Sequence, residues 1–366
     1  MKSIKLSKLP LTLVKSTVLV IIIWLLFILI INTKGYPNEV FKIGSSRTIV
    51  FLDSEESCKY LSDDEHLSNL SKLDIELRLE RLYSDNDSVI YKKEYFEHWS
   101  RQFRNWSRLD KIFLIRHLKK VYSKINSITP IVLPDTLYLI RTTGKQEFDA
   151  FYTHKKAIIC PYTIRLASTY LPIFSKKIEK TLTHELFHVY TNNNVDIIDS
   201  LYKIVGFEKI DSIKLDKRIS ERIINNPDDK PGFYKIMLKD ALTNEDKYYC
   251  MLILSKYNHW KGYIEFPGHI SVLLVYLDTQ KLHQIDLVGT KWVSSLDQIQ
   301  NPIVKGKEAL TDYKKKVGLT GEVSPEEIIA HLFIDLIYSK FDKELLLGKS
   351  QEYIDLLNGL ENILKV

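Results

Sequence analysis

The chain has 366 residues, 45% of them hydrophobic and 27% charged, which is enough for one large or two modest domains. Its formal net charge of +6 comes largely from five lysines among residues 1–34, so the remainder is close to neutral. There is no basic stripe with interleaved aromatic residues, which argues against nucleic-acid binding. Three cysteines without a CxxC pair exclude a disulfide framework and a cysteine-based zinc site.

The N-terminus carries an unbroken apolar run at residues 18–31, preceded by lysines at positions 2, 5, 8 and 15. With interfacial residues on both sides it predicts a transmembrane signal anchor at 16–33 and a cytoplasmic Lys-rich tail at 1–15. The alternative is a cleaved signal peptide, but residues 32–37 contain no small-residue cleavage pattern. We therefore expect a single-pass cell-membrane protein with its C-terminal domain outside the cytoplasm, and a secreted protein as the alternative.

Residues 34–127 are predicted to form a tether and a helical N-terminal region. A strand-like segment at 47–52 is followed by helical spacing over 65–127, which indicates two to four helices. Prolines at 130 and 134 end this pattern, and strands are predicted at 135–141 and 157–161. Residues 128–366 are predicted to form the main domain.

The strongest functional signal is His184, Glu185 and His188, which form an HExxH motif. Apolar residues at 178, 182, 186 and 189 predict a helix with one buried face, starting near Ser175 and ending at residues 192–194. Since positions i and i+4 lie on one face, two imidazoles can bind one Zn²⁺ with Glu185 beside it as general base. The alternative is a solvent-facing helix that carries two histidines and an acid.

A strand that precedes a zinc-peptidase helix can pair with an extended substrate backbone. Residues 157–162 are the candidate for this role, with an ordinary sheet strand as the alternative. Beyond the motif, residues 207–310 predict a β-rich insertion with strands at 248–254, 270–276 and 281–287, and a turn at 228–232. The C-terminal residues 351–364 predict an amphipathic helix.

Catalytic zinc takes three protein ligands and keeps one position open. Thr191 and Asn194 stand where the metzincin motif needs Gly and His, which excludes that class. Residues 324–337 predict a second helix, along which Glu327, His331 and Asp335 form a polar stripe on an otherwise apolar segment.

Glu327 is the predicted third ligand, and His331 or Asp335 would orient the ligand histidines. The alternative for Glu327 is a capping box, in which its side chain reaches back to the backbone of Ser324 with Pro325 at the first helical position. Rival third ligands are Glu326 and, after the first helix, the aspartates at positions 196 and 199.

Together these motifs resemble the gluzincins, zinc peptidases with HExxH and a Glu ligand on a later helix. The sequence from Glu327 to Phe333 resembles the ligand helix of the anthrax lethal factor type. The wider pattern is similar to an uncharacterised bacterial metallopeptidase family; it includes HELFH, residues 201–207, residues 226–228 and the Pro-Glu-Glu-Ile helix. The lethal factor type carries a Tyr seven residues before the ligand Glu, where this chain has Thr320.

The resemblance implies an α+β fold, with a zincin-like catalytic domain made of a mixed sheet, the HExxH helix and the second ligand helix. It implies a membrane-anchored, extracytoplasmic zinc metallopeptidase that hydrolyses peptide bonds of a peptide or protein substrate. The alternative is a non-catalytic, zincin-like surface binding protein.

Overall fold

The computed structural model describes residues 40–44, 47–62, 70–83, 88–161, 175–213, 215, 220–229, 232–239, 245–262, 270–277, 313 and 324–365. The predicted anchor at 16–33 and the strand predicted at 281–287 lie outside these residues. Among the residues that the model describes, no helix has the length and apolar character needed to cross a membrane.

The fold is mixed α+β, as predicted, and it contains a mixed five-stranded sheet. Its strands are β1 (Val40–Ile43), β2 (Arg47–Phe51), β3 (Thr136–Thr142), β4 (Tyr152–His154) and β5 (Ala157–Pro161). They lie in the order β1-β2-β3-β5-β4, in which β2, β3 and β5 are parallel and the outer strands β1 and β4 are antiparallel to their neighbours. The strands predicted at 47–52, 135–141 and 157–161 are confirmed as β2, β3 and β5.

The position of β5 corrects the prediction for the substrate-binding edge. Residues Ala157–Ile159 pair with β3 on one side and with β4 on the other. The chain turns back tightly through Lys155, which has a positive φ of 52°, so β4 covers this part of β5. The outer strand beside the HExxH segment is therefore β4, which covers residues 157–159 of the strand proposed to pair with substrate.

A second, antiparallel sheet confirms the β-rich character of the described part of 207–310. It contains β6 (Phe207–Ile210), β7 (Phe233–Lys239), β8 (Asp246–Ser255) and β9 (Ile270–Leu277), in that order. The strands predicted at 248–254 and 270–276 fall within β8 and β9. Strands β6 and β7 were not predicted.

Helices occupy the remaining regular structure of the described residues. They are α1 (Ser54–Leu61), α2 (Lys72–Leu79), α3 (Ser88–Ser100), α4 (Arg108–Asn126), α5 (Ser175–Asn193), α6 (Ile198–Ile204), α7 (Pro325–Ser339) and α8 (Gln351–Leu364). Helices α2, α3 and α4 confirm the predicted helical region, and α8 has the predicted bounds. Local capping starts several of them: Ser71 and Asp74 form a reciprocal capping box at α2, and Ser107 caps α4.

The HExxH helix, α5, is fixed by its apolar face and by its C-terminal asparagines. The predicted stripe at 178, 182, 186 and 189 is buried in the main hydrophobic core. The side-chain amide of Asn193 donates to the Val189 carbonyl oxygen at 2.7 Å, and that of Asn194 donates to Tyr190 at 2.8 Å. These bonds satisfy carbonyl groups of the last turn and explain why the helix ends there.

Glu179 holds the start of α5 against α4. Its buried carboxylate accepts hydrogen bonds from Lys120 Nζ at 2.6 Å and Lys124 Nζ at 3.0 Å. Burial alone would raise the pKa of Glu179, but these lysines outweigh it and hold the pKa below its ordinary value. A carboxyl group with a lower pKa in the folded than in the unfolded state stabilises the fold above the unfolded pKa, and this stability is lost as pH falls through the folded pKa.

We therefore expect Glu179→Gln to lower the free energy of unfolding by about 1–3 kcal/mol near neutral pH. The difference from wild type should shrink at acidic pH, as the pH falls through the folded-state pKa of Glu179 and the native carboxylate is itself protonated. Urea unfolding at both pH values measures this, with the exposed Glu344→Gln as control. An equal loss at both pH values would contradict the electrostatic explanation.

Candidate metal centre

The two histidines of α5 present their ring nitrogens to the same point. His184 Nε2 and His188 Nε2 are 2.9 Å apart, as expected for residues four apart on one helix face. His188 is fully buried and His184 is partly buried, so the pair lies at the boundary between the core and an accessible site.

Glu327 of α7 meets this pair from a separate helix. Its Oε2 lies 3.1 Å from His184 Nε2, and its Oε1 lies 3.6 Å from His188 Nε2. Ligands about 2.0–2.1 Å from a tetrahedral zinc ion are about 3.3 Å from one another. The Nε2–Nε2 separation and the distances from each Nε2 to one of the two Glu327 oxygens bracket that value, so the chemistry and spacing of the group suit one zinc ion.

The start of α7 places Glu327 at this point. Ser324 is the N-cap and accepts a hydrogen bond from the Glu327 backbone N–H, with Pro325 at the first position, as predicted. The Glu327 carboxylate lies against His184 and also accepts a hydrogen bond from Asn226 Nδ2 at 3.3 Å. The N-cap therefore fixes the backbone of Glu327, while its side chain stays free to contact the two histidines.

Glu326 holds His188 in position. Its Oε1 lies 2.9 Å from His188 Nδ1 and accepts from Thr191 Oγ1 at 2.7 Å, while its Oε2 accepts from the Tyr202 hydroxyl at 2.6 Å. A carboxylate on Nδ1 favours the tautomer with its proton there, which leaves the Nε2 lone pair for a metal ion.

Glu326 is thus the residue that orients His188, and Asp335, which was expected to orient a ligand histidine, bonds to Tyr353 instead. His331, the other residue expected in that role, lies beside His184. The spacing along one face of α7 predicted roles for His331 and Asp335, whereas Glu326 was expected only as a rival third ligand. The adjacent acids at 326 and 327 point about 100° apart around the helix, so one faces the metal position and the other faces α5. That pair of acids was the available sequence signal.

His331 and Asp335 have separate positions. The ring of His331 lies 5.2 Å from that of His184, and it offers a nitrogen within 4.8 Å of donor atoms of His184 and Glu327. Burial and the neighbouring His184 lower the pKa of His331, which keeps it neutral near pH 7. Asp335 accepts a 2.5 Å hydrogen bond from the Tyr353 hydroxyl and so links α7 to α8.

Glu185 is buried on α5. Burial raises the pKa of the Cys160 thiol on β5, and the charge of Glu185 adds to this rise. Cys160 itself is a buried, free thiol that packs as a small core residue, and Cys58 and Cys250 are also free.

A further acidic residue, Asp228, reaches the site from the loop of residues 220–229. It is buried, and one of its carboxylate oxygens lies within 4.8 Å of donor atoms of His188 and Glu327. From the sequence, residues 228–232 were predicted to form a turn, and Asp228 was given no role in the site. Residues 226–228 are nevertheless part of the pattern that resembles the bacterial metallopeptidase family. The rival aspartates Asp196 and Asp199 are exposed beyond the end of α5.

The electrostatics of the site favour a cation. Burial lowers the pKa of His188, but the carboxylates of Asp228, Glu326 and Glu327 outweigh it and raise the pKa to about 10. For Glu327, burial acts to raise the pKa, but the contact with His184 and the charge of His188 bring it below the ordinary range. Acidic side chains around the fully buried His188 and the partly buried His184 are a setting that a divalent ion can neutralise.

Comparisons with known proteins gave no match, whether with protein-family models, with curated proteins or with solved structures.

Proposed function

We propose that this chain is a zinc metallopeptidase of the gluzincin type, a hydrolase with a zincin-like catalytic domain. The observation that carries the proposal is the convergence of His184 Nε2, His188 Nε2 and the Glu327 carboxylate, with separations of 2.9–3.6 Å. The placement of α5 against strands β4 and β5 of the mixed sheet, with α7 packed on α5, supports the zincin-like assignment. The apolar segment at 16–33 supports the proposal that the enzyme is membrane-anchored and faces outside the cytoplasm.

In the proposed mechanism, His184, His188 and Glu327 would hold the ion, and Glu326 keeps His188 in the required tautomer. Bound zinc would supply a Lewis acid for the peptide carbonyl and for the attacking water. Glu185 takes the proton of that water and delivers it to the nitrogen of the leaving amine. The buried setting strengthens each of these electrostatic interactions.

The second candidate function is a non-catalytic surface binding protein that uses the same scaffold. Asp228 favours it, because a fourth possible donor group close to the other three suits a closed structural site more than an open catalytic one. Thr320, in place of the Tyr found in the lethal factor type, is a sequence argument for the same alternative.

Elemental analysis of the purified full-length chain tests the metal site. We expect about one zinc per wild-type chain, and loss of most of it in His184→Ala and in Glu327→Ala, since each removes a ligand. His259→Ala is the matched control, because His259 lies against Lys261 in another part of the chain and should keep the metal.

Zinc retained in Glu327→Ala would show that the third ligand lies elsewhere. A wild-type protein that binds no zinc would contradict the metallopeptidase proposal and favour the binding protein.

A further inference from the structure

The loop of residues 220–229 brings Asp228 to the centre from outside both ligand helices. Three protein donors leave one position of a tetrahedral zinc site open, whereas four close it. We propose that Asp228 is a fourth protein ligand, and that this loop is an internal plug that closes the coordination sphere. The inference rests on the zinc site proposed above.

The carboxylate of Asp228 also forms hydrogen bonds with β4, the outer strand of the sheet. Asp228 Oδ1 accepts hydrogen bonds from the Thr153 backbone N–H at 2.8 Å and from Thr153 Oγ1 at 2.7 Å. Thr153 is the middle residue of β4, the outer strand, and pairs across the hairpin with Ile158. Since its N–H is bonded to Asp228, an extended peptide could not use this group to pair with β4. In this proposal the Asp228 side chain therefore fills the fourth coordination position of the metal and also covers the adjoining edge of β4.

Helix α2 holds the loop in this position. Asp74 of α2 accepts from the Asn225 backbone N–H at 3.1 Å and from Asn225 Nδ2 at 2.7 Å. Arg78, one turn further along, donates to the Asn225 carbonyl oxygen at 3.0 Å. The next residue, Asn226, contacts Glu327, so the clamp extends to the proposed ligand.

The clamp is a buried ionic network. Arg78 makes a bidentate pair with Glu147, with N–O distances of 2.9 and 3.0 Å, and a 3.0 Å bond to Asp74. All three side chains are buried. Buried charges that all have partners define one geometry, and the loss of any partner is costly. This assigns to the helical region before the main domain the task of holding the plug loop in place.

Two states of the centre follow. With the plug in place, four protein groups surround the ion and the edge of β4 is covered. With the plug withdrawn, His184, His188 and Glu327 remain, and both the fourth position and the Thr153 N–H become available. Hydrolysis requires the second state, so anything that loosens the α2 clamp shifts the chain towards it.

Full-length protein loaded with Co²⁺ in place of zinc tests the plug, with acetohydroxamate as a probe for an open coordination position. Two quantities are measured: metal affinity by chelator competition, and hydroxamate binding from the change in the visible spectrum. Asp228→Asn should weaken metal binding by about tenfold or more and strengthen hydroxamate binding by a similar factor.

Glu221→Gln is the control, because it neutralises an acidic side chain of the same loop at an exposed position. If Asp228 acts as a ligand, Glu221→Gln should change neither quantity by more than about threefold. Equal effects of the two variants would show that charge alone matters, and would overturn the assignment of Asp228 as a ligand.

These measurements also distinguish an incorrect role for Asp228 from an incorrect metal site. If wild type and Asp228→Asn match in both quantities, while His188→Ala loses the metal, the plug is wrong and the site stands. If wild type binds no metal, the site itself is wrong, and the plug with it. Thermal unfolding in the presence of chelator establishes that each variant folds. If Asp228→Asn does not fold, it is replaced by Asp228→Ser, which keeps a small hydrogen-bond acceptor for Thr153.

Discussion

Replacing Glu185 by Gln should leave the zinc content unchanged and reduce peptide hydrolysis by about 10²–10⁴-fold. The amide has nearly the shape of the carboxylate, but it cannot accept the proton of the attacking water. None of the three proposed ligands is altered, so the metal should stay bound. Wild-type cleavage of a quenched fluorescent peptide library defines a substrate, and the variant is then compared on that peptide alongside elemental analysis.

The control for this comparison is Glu352→Gln, an equivalent change at an exposed position of α8. It should match wild type in both activity and zinc content. If Glu185→Gln cleaves as fast as wild type, another group is the base. If instead it loses its zinc, Glu185 supports the metal site and the proposed division between ligands and base is incorrect.

Phe333→Ala should destabilise the fold by about 3–5 kcal/mol, the usual cost of removing a fully buried aromatic side chain. Phe333 of α7 is completely buried and stacks on Phe187 of α5, with ring centroids 4.8 Å apart and planes 30° apart. This contact joins the helix that carries Glu327 to the helix that carries the two histidines. Urea unfolding with chelator present measures the effect without a contribution from bound metal.

Phe341→Ala is the matched control, since Phe341 is 55% exposed just beyond the end of α7. It should change the free energy of unfolding by no more than about 0.5 kcal/mol. A loss below about 1 kcal/mol in Phe333→Ala would mean that the interface between α5 and α7 does not hold the ligand helices together.

Much of the local structure could be predicted because it depends on residues close together in the chain. The apolar stripe at 178, 182, 186 and 189 predicted both the extent of α5 and the face that is buried. Ser324 and Pro325 predicted where α7 begins. For β7 the signal was present but was not used: Tyr234, Ile236 and Leu238 are buried in alternation with more exposed neighbours, the pattern of a strand with one covered face.

Within the site, spacing on one helix was informative and spacing between helices was not. The i, i+4 rule placed His184 and His188 together and selected Glu327 from the second helix, where it lies 3.1 Å from His184. The same rule selected Asp335, which bonds instead to Tyr353 of α8. Helical periodicity gives the face on which a side chain lies, but the partner facing it depends on how the helices pack.

The sequence by itself determined the HExxH motif, the two helices that carry the proposed ligands and the mixed α+β class. Only the tertiary structure decided that Glu326 holds His188, that β4 rather than β5 is the outer strand, and that Asp228 enters the site. Each of these depends on contacts between residues far apart in the chain: 138 positions separate His188 from Glu326, and 75 separate Thr153 from Asp228. Local spacing carries no information on such pairs, because they form only when the hydrophobic core brings α5, α7 and the sheet together.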